Sequence, residues 1–314
     1  MRLLMMGTGP FAVPTFKALL DSPHDVPVLI TRPPRPMHGK TQAEVNPMRE
    51  LAIARGLPVF EPESINTDES RAELAKYRPE LLIVCDYGQI LRPETLAIAP
   101  RGGINLHASL LPKYRGAAPI NWAIYHGDLE TGVTVIHMTP EVDAGPAIKQ
   151  ARMSIGLSDT AVDLEPRLAA LGVPLVLQAI DELQSGRVQE IPQDPRLATR
   201  APRLKKSDGQ IDWSRPAQAI RNQIRAMQPW PKSFTLWHRP SGEPMRLIIE
   251  EVDILPSDSM AHPGEIVQAS GETLTIATGD GHLRIKQLQP AGKRVMPAGD
   301  FLRGQPIRPG QKFG

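Results

Sequence analysis

Residues 105–120 read Asn-Leu-His-Ala-Ser-Leu-Leu-Pro-Lys-Tyr-Arg-Gly-Ala-Ala-Pro-Ile. Upstream lie an apolar run, Leu81-Leu82-Ile83-Val84-Cys85, and a second, shorter one ending at Leu106. Short apolar runs of this kind read as buried strands. Asn105 and His107 stand at i and i+2, so on a strand they point to one face. The chain then breaks into Leu-Leu-Pro and Arg-Gly before a helix-like run begins. An amide and an imidazole are thereby set side by side at the end of a strand, where open α/β sheets bind their ligands.

The pattern extends in both directions. Residues 2–6 read as a buried strand, Gly7-Thr8-Gly9 as a tight turn, 12–20 as a helix and 26–30 as a second strand. Asn46-Pro47 supplies a cap and first residue for a helix ending near Gly56. A short strand at 57–60, a helix at 68–77 and a strand at 133–138 follow. Residues 160–183 read as a long helix, interrupted or kinked near Pro166 and Pro174 and closed by Gly186. Strands alternating with helices predict an α/β domain: a Rossmann-like, doubly wound parallel sheet. Residues 190–206 are polar, with prolines at 192, 195 and 202 and basic residues at 196, 200, 203, 205 and 206. They read as an extended, semi-rigid linker. Beyond it come a helix at 216–227 and strands at 233–238, 246–253, 264–268, 273–278 and 283–288. Short strands with Gly-rich turns predict a smaller C-terminal β-barrel of OB-like type. The expected division is 1–189, a linker at 190–206, and 207–314.

Apolar residues are 41% and charged ones 22% of the chain, ordinary for a globular protein. No apolar run is long enough to span a bilayer, and residues 1–7 are too short for a signal peptide. A single cysteine, Cys85, excludes an internal disulfide and points to a reducing cytoplasm. The net charge of +2 is unevenly spread: residues 200–314 hold 17 Lys+Arg against 11 Asp+Glu, and the remainder 19 against 23. A basic second part suits a polyanionic partner.

Several chemistries fall away. Gly7-x-Gly9-x-x-Ala12 approaches a dinucleotide fingerprint, but the second strand runs into Thr31-Arg32-Pro33-Pro34 where an acidic residue should hold the ribose; an Arg could serve a 2′-phosphate there, and the preferred reading is that the glycines let strand and helix pack closely. His38-Gly39-Lys40-Thr41 imitates a phosphate loop, but Pro34 stands where that motif needs glycine. One Cys and scattered His give no zinc spacing, so no metal is expected. No Gly-x-Ser-x-Gly elbow is present.

Asn-x-His-x-Ser-Leu-Leu-Pro-x-x-Arg-Gly-x-x-Pro-Ile at 105–120 and Val-Asp-Ala-Gly-Pro at 142–146 resemble the signature of folate-dependent formyltransferases. Lys-Lys-Ser-Asp-Gly-Gln-Ile-Asp-Trp-Ser at 205–214, Gln-Pro-Trp-Pro at 228–231 and Leu-Gln-Pro-Ala-Gly-Lys-Arg-Val-Met at 288–296 narrow the resemblance to the branch that acts on charged tRNA. The resemblance implies formyl transfer from 10-formyltetrahydrofolate to the α-amino group of methionyl-initiator tRNA, by a cytoplasmic monomer. It implies catalytic roles for Asn105, His107 and Asp143. The Asn amide and a protonated imidazole would donate to a developing oxyanion, and the carboxylate would favour the imidazolium and relay a proton. It places the folate against Ser109, Leu110, Leu111 and Pro112 and along Asp86, Tyr87, Gly88 and Ile90. In the family an insertion at 32–47 meets the tRNA; here, beyond Arg32 at its start, it offers only Arg35 and Lys40. Arg203, Lys205, Lys206, Lys293 and Arg294 are further tRNA candidates. Two rivals stay open: the same chemistry on a small amine, and a tRNA-binding module without catalysis.

Overall fold

The structure is a computed structural model describing residues 1–34, 45–239, 242–256 and 261–314. Arg35 and Lys40 lie outside the described residues. The chain divides into two units.

The first unit comprises Met1–Pro119, Glu130–Ser154 and Leu164–Pro202. Its strands are β1 (Leu3–Gly7), β2 (Leu29–Ile30), β3 (Val59–Phe60), β4 (Leu81–Cys85), β5 (Gly103–His107), β6 (Arg115–Gly116), β7 (Glu130–His137), β8 (Ala147–Ser154) and β9 (Arg200–Ala201). Seven of them form one sheet in the order β3-β2-β1-β4-β5-β7-β8. β3 through β5 are parallel. β1 and β4 are buried at all five positions, as strands covered on both faces must be. The order reverses between β1 and β4, and such a switch point opens a crevice at the carboxyl ends of the strands.

The parallel sheet expected from the sequence is present from β3 to β5, and two antiparallel strands extend it. β7 runs antiparallel to β5, and β8 antiparallel to β7. Only residues 138–146 join β7 to β8, too few for the crossover that a parallel pair needs. β8 carries no continuous apolar run, because it is an edge strand whose side chains are half-buried or exposed at all but one position.

Helices α1 (Val13–Leu20), α2 (Pro47–Ala54), α3 (Asp68–Lys76) and α4 (Pro93–Leu96) follow the early strands. The Asn46 side chain caps α2 by accepting from Arg49 N at 3.1 Å, and Thr67 caps α3 by accepting from Ser70 N at 3.1 Å. After α5 (Pro119–His126), α6 (Ala161–Ser185) continues through both Pro166 and Pro174, so neither proline ends it. A Cβ on Gly172 would lie 2.5 Å from the Leu106 side chain. Its absence lets α6 settle against β5 on the face opposite Asn105 and His107.

Much of the stretch read as a linker belongs to this unit. Ile191 and Ala147 exchange two backbone hydrogen bonds of 2.8 Å. β9 pairs in parallel with β6. A polar, proline-containing run can still be ordered when its backbone groups find partners.

The second unit comprises Ile120–Leu129, Ile155–Asp163 and Arg203–Gly314. It holds α7 (Ala217–Ala226), α8 (Ala298–Gly304) and strands β10 (Ser233–Trp237), β11 (Met245–Leu255), β12 (Ile266–Ser270), β13 (Thr273–Ala277), β14 (His282–Pro290) and β15 (Met296–Pro297). The antiparallel order is β10-β11-β14-β13-β12, with β15 beside β14. The two edges are drawn together by the chain's end: Gly314 N donates to Leu236 O at 3.0 Å, while Phe313 N donates to Gly264 O and Ile266 N to Gln311 O, each at 2.8 Å. Covering both edges removes the unpaired backbone that invites aggregation. Ile220 and Ile224 of α7 share a core with Trp237, Leu247, Leu274 and Leu288. No helix among the described residues is long and apolar enough to cross a membrane.

Candidate active site

Alternation along β5 sets the site. Leu106 turns toward Gly172 of α6; Asn105 and His107 share the other face. Asp143 arrives on the loop between β7 and β8. Its carboxylate accepts from Asn105 Nδ2 at 3.2 Å through Oδ1 and from Gly116 N at 2.9 Å through Oδ2. His107 Nδ1 stands 3.5 Å from the same Oδ2. The three side chains are therefore together, and the His107 and Asp143 side chains are only 6% and 13% exposed. Asp143 adopts φ +51, a left-handed backbone that costs a non-glycine residue roughly 1–2 kcal/mol. Such strain persists only where surrounding contacts enforce it.

His107 differs from the expectation in one respect. Its Nε2 lies 2.8 Å from the carbonyl oxygen of Tyr114. A carbonyl only accepts, so Nε2 carries a hydrogen and is occupied. The ring has one nitrogen for chemistry, Nδ1, and that nitrogen faces Asp143.

The loop carrying Tyr114 and Gly116 is braced by residues that sequence reasoning missed. Tyr114 N donates to Thr199 Oγ1 at 2.8 Å, and Arg115 N to Thr199 O at 2.9 Å. The Arg115 guanidinium donates to Gln193 Oε1 at 3.1 Å from Nε and 2.8 Å from Nη2. Gln193 Nε2 in turn donates to the carbonyls of Asp143 at 2.8 Å and Gly145 at 2.7 Å. Nothing in the sequence separates Gln193 and Thr199 from the other polar residues around them.

The Ser-Leu-Leu-Pro segment is largely occupied by internal bonds. Ser109 is fully buried and its Oγ donates to Lys113 O at 2.6 Å. Thr134 Oγ1 donates to Ser109 O at 2.7 Å and accepts from Leu111 N at 3.1 Å. Gln150 Nε2 donates to Leu111 O at 3.1 Å, and Pro112 O accepts from Thr199 N at 3.3 Å. Leu110 rests where a Cβ on Gly132 would sit, 2.5 Å from it.

The turn after β4 lies at the switch point. Thr8 N donates to Asp86 O at 3.0 Å, and Thr8 Oγ1 to Tyr87 O at 3.1 Å. Asp86 as a residue is exposed, yet its carboxyl tip turns in against Gly9, whose hypothetical Cβ would fall 1.7 Å from Oδ2. That enclosure, with the charge of nearby Glu165 adding, pushes the Asp86 pKa up to about 6. Burial also raises Glu165 above its ordinary range. Tyr87 is buried, and its hydroxyl has no hydrogen-bond partner among the described residues. Gly88 takes φ +79, and Ile90 is 65% exposed.

In the second unit Arg203, Lys205, Lys206, Lys293 and Arg294 are all exposed. None pairs with a carboxylate among the described residues, whereas Arg284 pairs with Asp253 and Lys286 with Glu251. Among the described residues no group of three or more His, Cys, Asp or Glu could hold a metal ion.

Residues 1–180 match the formyl transferase family, and residues 203–306 match formyl transferase, C-terminal domain. The chain is 40% identical over 314 residues to a methionyl-tRNA formyltransferase of Moorella thermoacetica, covering 100% of this chain and 99% of that one. It is 43% identical over 328 residues to that of Rhodopirellula baltica, covering 100% and 96%. Among solved structures, the N-formyltransferase from Helicobacter canadensis with folinic acid and dTDP-3-aminofucose superposes at a TM-score of 0.65, with 19% identity over 90% of this chain and 98% of that one. HypX from Aquifex aeolicus with tetrahydrofolic acid gives 0.61 and 17% over 96% of this chain, which spans about half, 47%, of that longer protein. At these identities the structural likeness is one of fold. Both formyl transferase regions are present in order, and the likeness to curated relatives runs from end to end: the chain belongs to the methionyl-tRNA formyltransferase family.

Proposed function

We propose that this protein transfers the formyl group of 10-formyltetrahydrofolate to the α-amino group of methionyl-initiator tRNA, giving N-formylmethionyl-tRNA and tetrahydrofolate. The observation that carries the reading is the cluster in which Asn105, His107 and Gly116 N all converge on Asp143. Its residues meet what acyl transfer asks for: a donor for developing negative charge, a route for a proton and fixed positions.

Asn105 spends one amide hydrogen on Asp143 and keeps the second for the formyl oxygen as charge builds there. A new C–N bond forms as the amine adds, and the proton it loses has Asp143 Oδ2 within reach. His107 Nδ1 lies 3.5 Å from that oxygen and shares the load. Nε2, tied to Tyr114, keeps the ring from turning. When the bond to the folate nitrogen breaks, that nitrogen takes the electron pair and a proton from the same acid–base pair.

The turn after β4 suits a folate. Asp86 offers an enclosed carboxyl to a ring's N–H groups, exposed Gly88 lies beside the Arg32 side chain, and Leu110 with exposed Ile90 supplies apolar surface. Tyr87 and Ser109 are buried, so they support this surface and Leu111 with Pro112 shapes it. Arg203, Lys205, Lys206, Lys293 and Arg294 meet tRNA phosphates. The same reading places the enzyme in the cytoplasm and acting as a monomer.

The test is formyl transfer to charged initiator tRNA by the full chain, wild type and His107→Ala. Wild-type turnover with a severe loss in the variant is expected. Turnover of a free small amine, and none of the charged tRNA, would overturn the reading.

A further inference from the structure

Gln193 lies outside both matched regions, residues 1–180 and 203–306. It stands before a short 3-10 helix, Pro195–Leu197, in a run whose composition reads as linker. Its side chain nevertheless makes the four hydrogen bonds an amide can make. Two are accepted by Oε1 from Arg115, and two are donated by Nε2 to the carbonyls of Asp143 and Gly145.

These bonds close a ring. From the Asp143 carbonyl the path runs through Gln193 to the Arg115 guanidinium. It passes along the backbone to Gly116 N and returns to Asp143 Oδ2 at 2.9 Å. Asp143 is thus gripped twice, by its backbone through Gln193 and by its carboxylate through Gly116 and Asn105. Its left-handed φ of +51 is the conformation that such a grip must maintain. Side chains bearing chemistry are held to fractions of an ångström by supporting bonds of this kind. We propose that Gln193 is a positioning residue for the transfer step, clamping the Asp143 loop to the Arg115–Gly116 loop so that Asp143 Oδ2 faces His107 Nδ1.

The inference rests on the reading of Asn105, His107 and Asp143 given above, and the experiment separates the two. Gln193→Met keeps length and removes all four bonds; Gln193→Glu keeps acceptors for Arg115 but loses both donations to the carbonyls. Each is made in the full chain, alone and combined with Asp143→Asn, with folding followed by circular dichroism. In the otherwise wild-type background both should lower kcat by about 10²-fold, the size expected for a misplacement near 1 Å. KM for either substrate should stay within about threefold, because Gln193 is not assigned to binding. In the Asp143→Asn background the same substitutions should change kcat less than about threefold, since their route to the chemistry is already cut. A folded Gln193 variant with wild-type kcat, or an equal loss in both backgrounds, would overturn the proposal. Asp143→Asn matching wild type would instead overturn the reading of the site beneath it. If Gln193→Met fails to fold, Gln193→Glu carries the comparison.

Discussion

Asp143 accepts from a side-chain amide and a backbone N–H and faces an imidazole. Removing Asn105 or His107 should therefore expose different parts of one device. On the proposed mechanism Asn105→Ala deletes an oxyanion donor, and kcat should fall about 10²–10³-fold. His107→Ala should fall by a similar factor through proton transfer, about 10²–10⁴-fold. Single-turnover formyl transfer measures both, and an unchanged rate in a folded variant removes that residue from the mechanism. The pair Asn-x-His and its shared face were legible in the sequence because a strand's side chains alternate. The occupation of Nε2 was not, since it depends on a carbonyl seven positions along a loop with no regular period. Asp86 makes a separate prediction. Its folded pKa of about 6 lies above the ordinary carboxylate value of 3.8, first through burial and then through Glu165. Between those values the folded chain holds a proton the unfolded chain has released, so stability falls as pH rises. Above pH 6 the ionised carboxyl is a standing cost, reduced by solvent at the residue's exposed edge. Asp86→Asn should be more stable than wild type at pH near 7.5 by about 1 kcal/mol, and equal to it below about pH 4. Urea titrations at the two pH values check this; an advantage that persists in acid would contradict it.

At the scale of elements, the approach of α6 to β5 decides where the site's face lies. Gly172→Ala improves helix propensity by about 1 kcal/mol, but it sets a carbon 2.5 Å from the Leu106 side chain. Overpacking of this kind costs about 1–3 kcal/mol, so clash outweighs propensity and the variant should melt earlier. Leu106→Ala vacates the same space, and the double variant should lose less stability than the sum of the singles. Strict additivity would mean that the two residues do not share that space. The elements found from sequence are those whose burial writes a pattern: residues 81–85 are uniformly apolar and buried, and β10 to β14 fall close to the predicted runs. The elements not found are those stabilised by partners instead. β8 is a sheet edge with mixed side chains, and β6 with β9 is a pair of two-residue strands whose hydrogen bonds involve Thr199 and Ala201. Residues 190–202 look like a tether by composition and behave as part of the first unit by hydrogen bonding. That is also why Gln193 and Thr199 escaped notice as supports of the site.

At the scale of the whole chain, charge segregation was visible from the start: the segment from residue 200 onward carries 17 basic against 11 acidic residues. The structure sorts those cations further, into paired and unpaired ones. Arg284 and Lys286 face Asp253 and Glu251 on neighbouring strands, and to meet a phosphate they would first have to leave a carboxylate. Lys205, Lys206, Lys293 and Arg294 are exposed and make no ion pair among the described residues, so a phosphate costs them only hydration. Each phosphate contact releases condensed counterions, which makes log K fall with log salt in proportion to the number of contacts. Lys205→Ala and Lys293→Ala should each weaken tRNA binding and flatten that salt slope by about 1, independent of the tRNA's sequence. Lys286→Ala should leave the slope unchanged within error. Binding isotherms taken across a salt series with the full chain measure all three. A flattened slope for Lys286→Ala, with no change for Lys205→Ala or Lys293→Ala, would move the contact surface from the free cations to the paired strands.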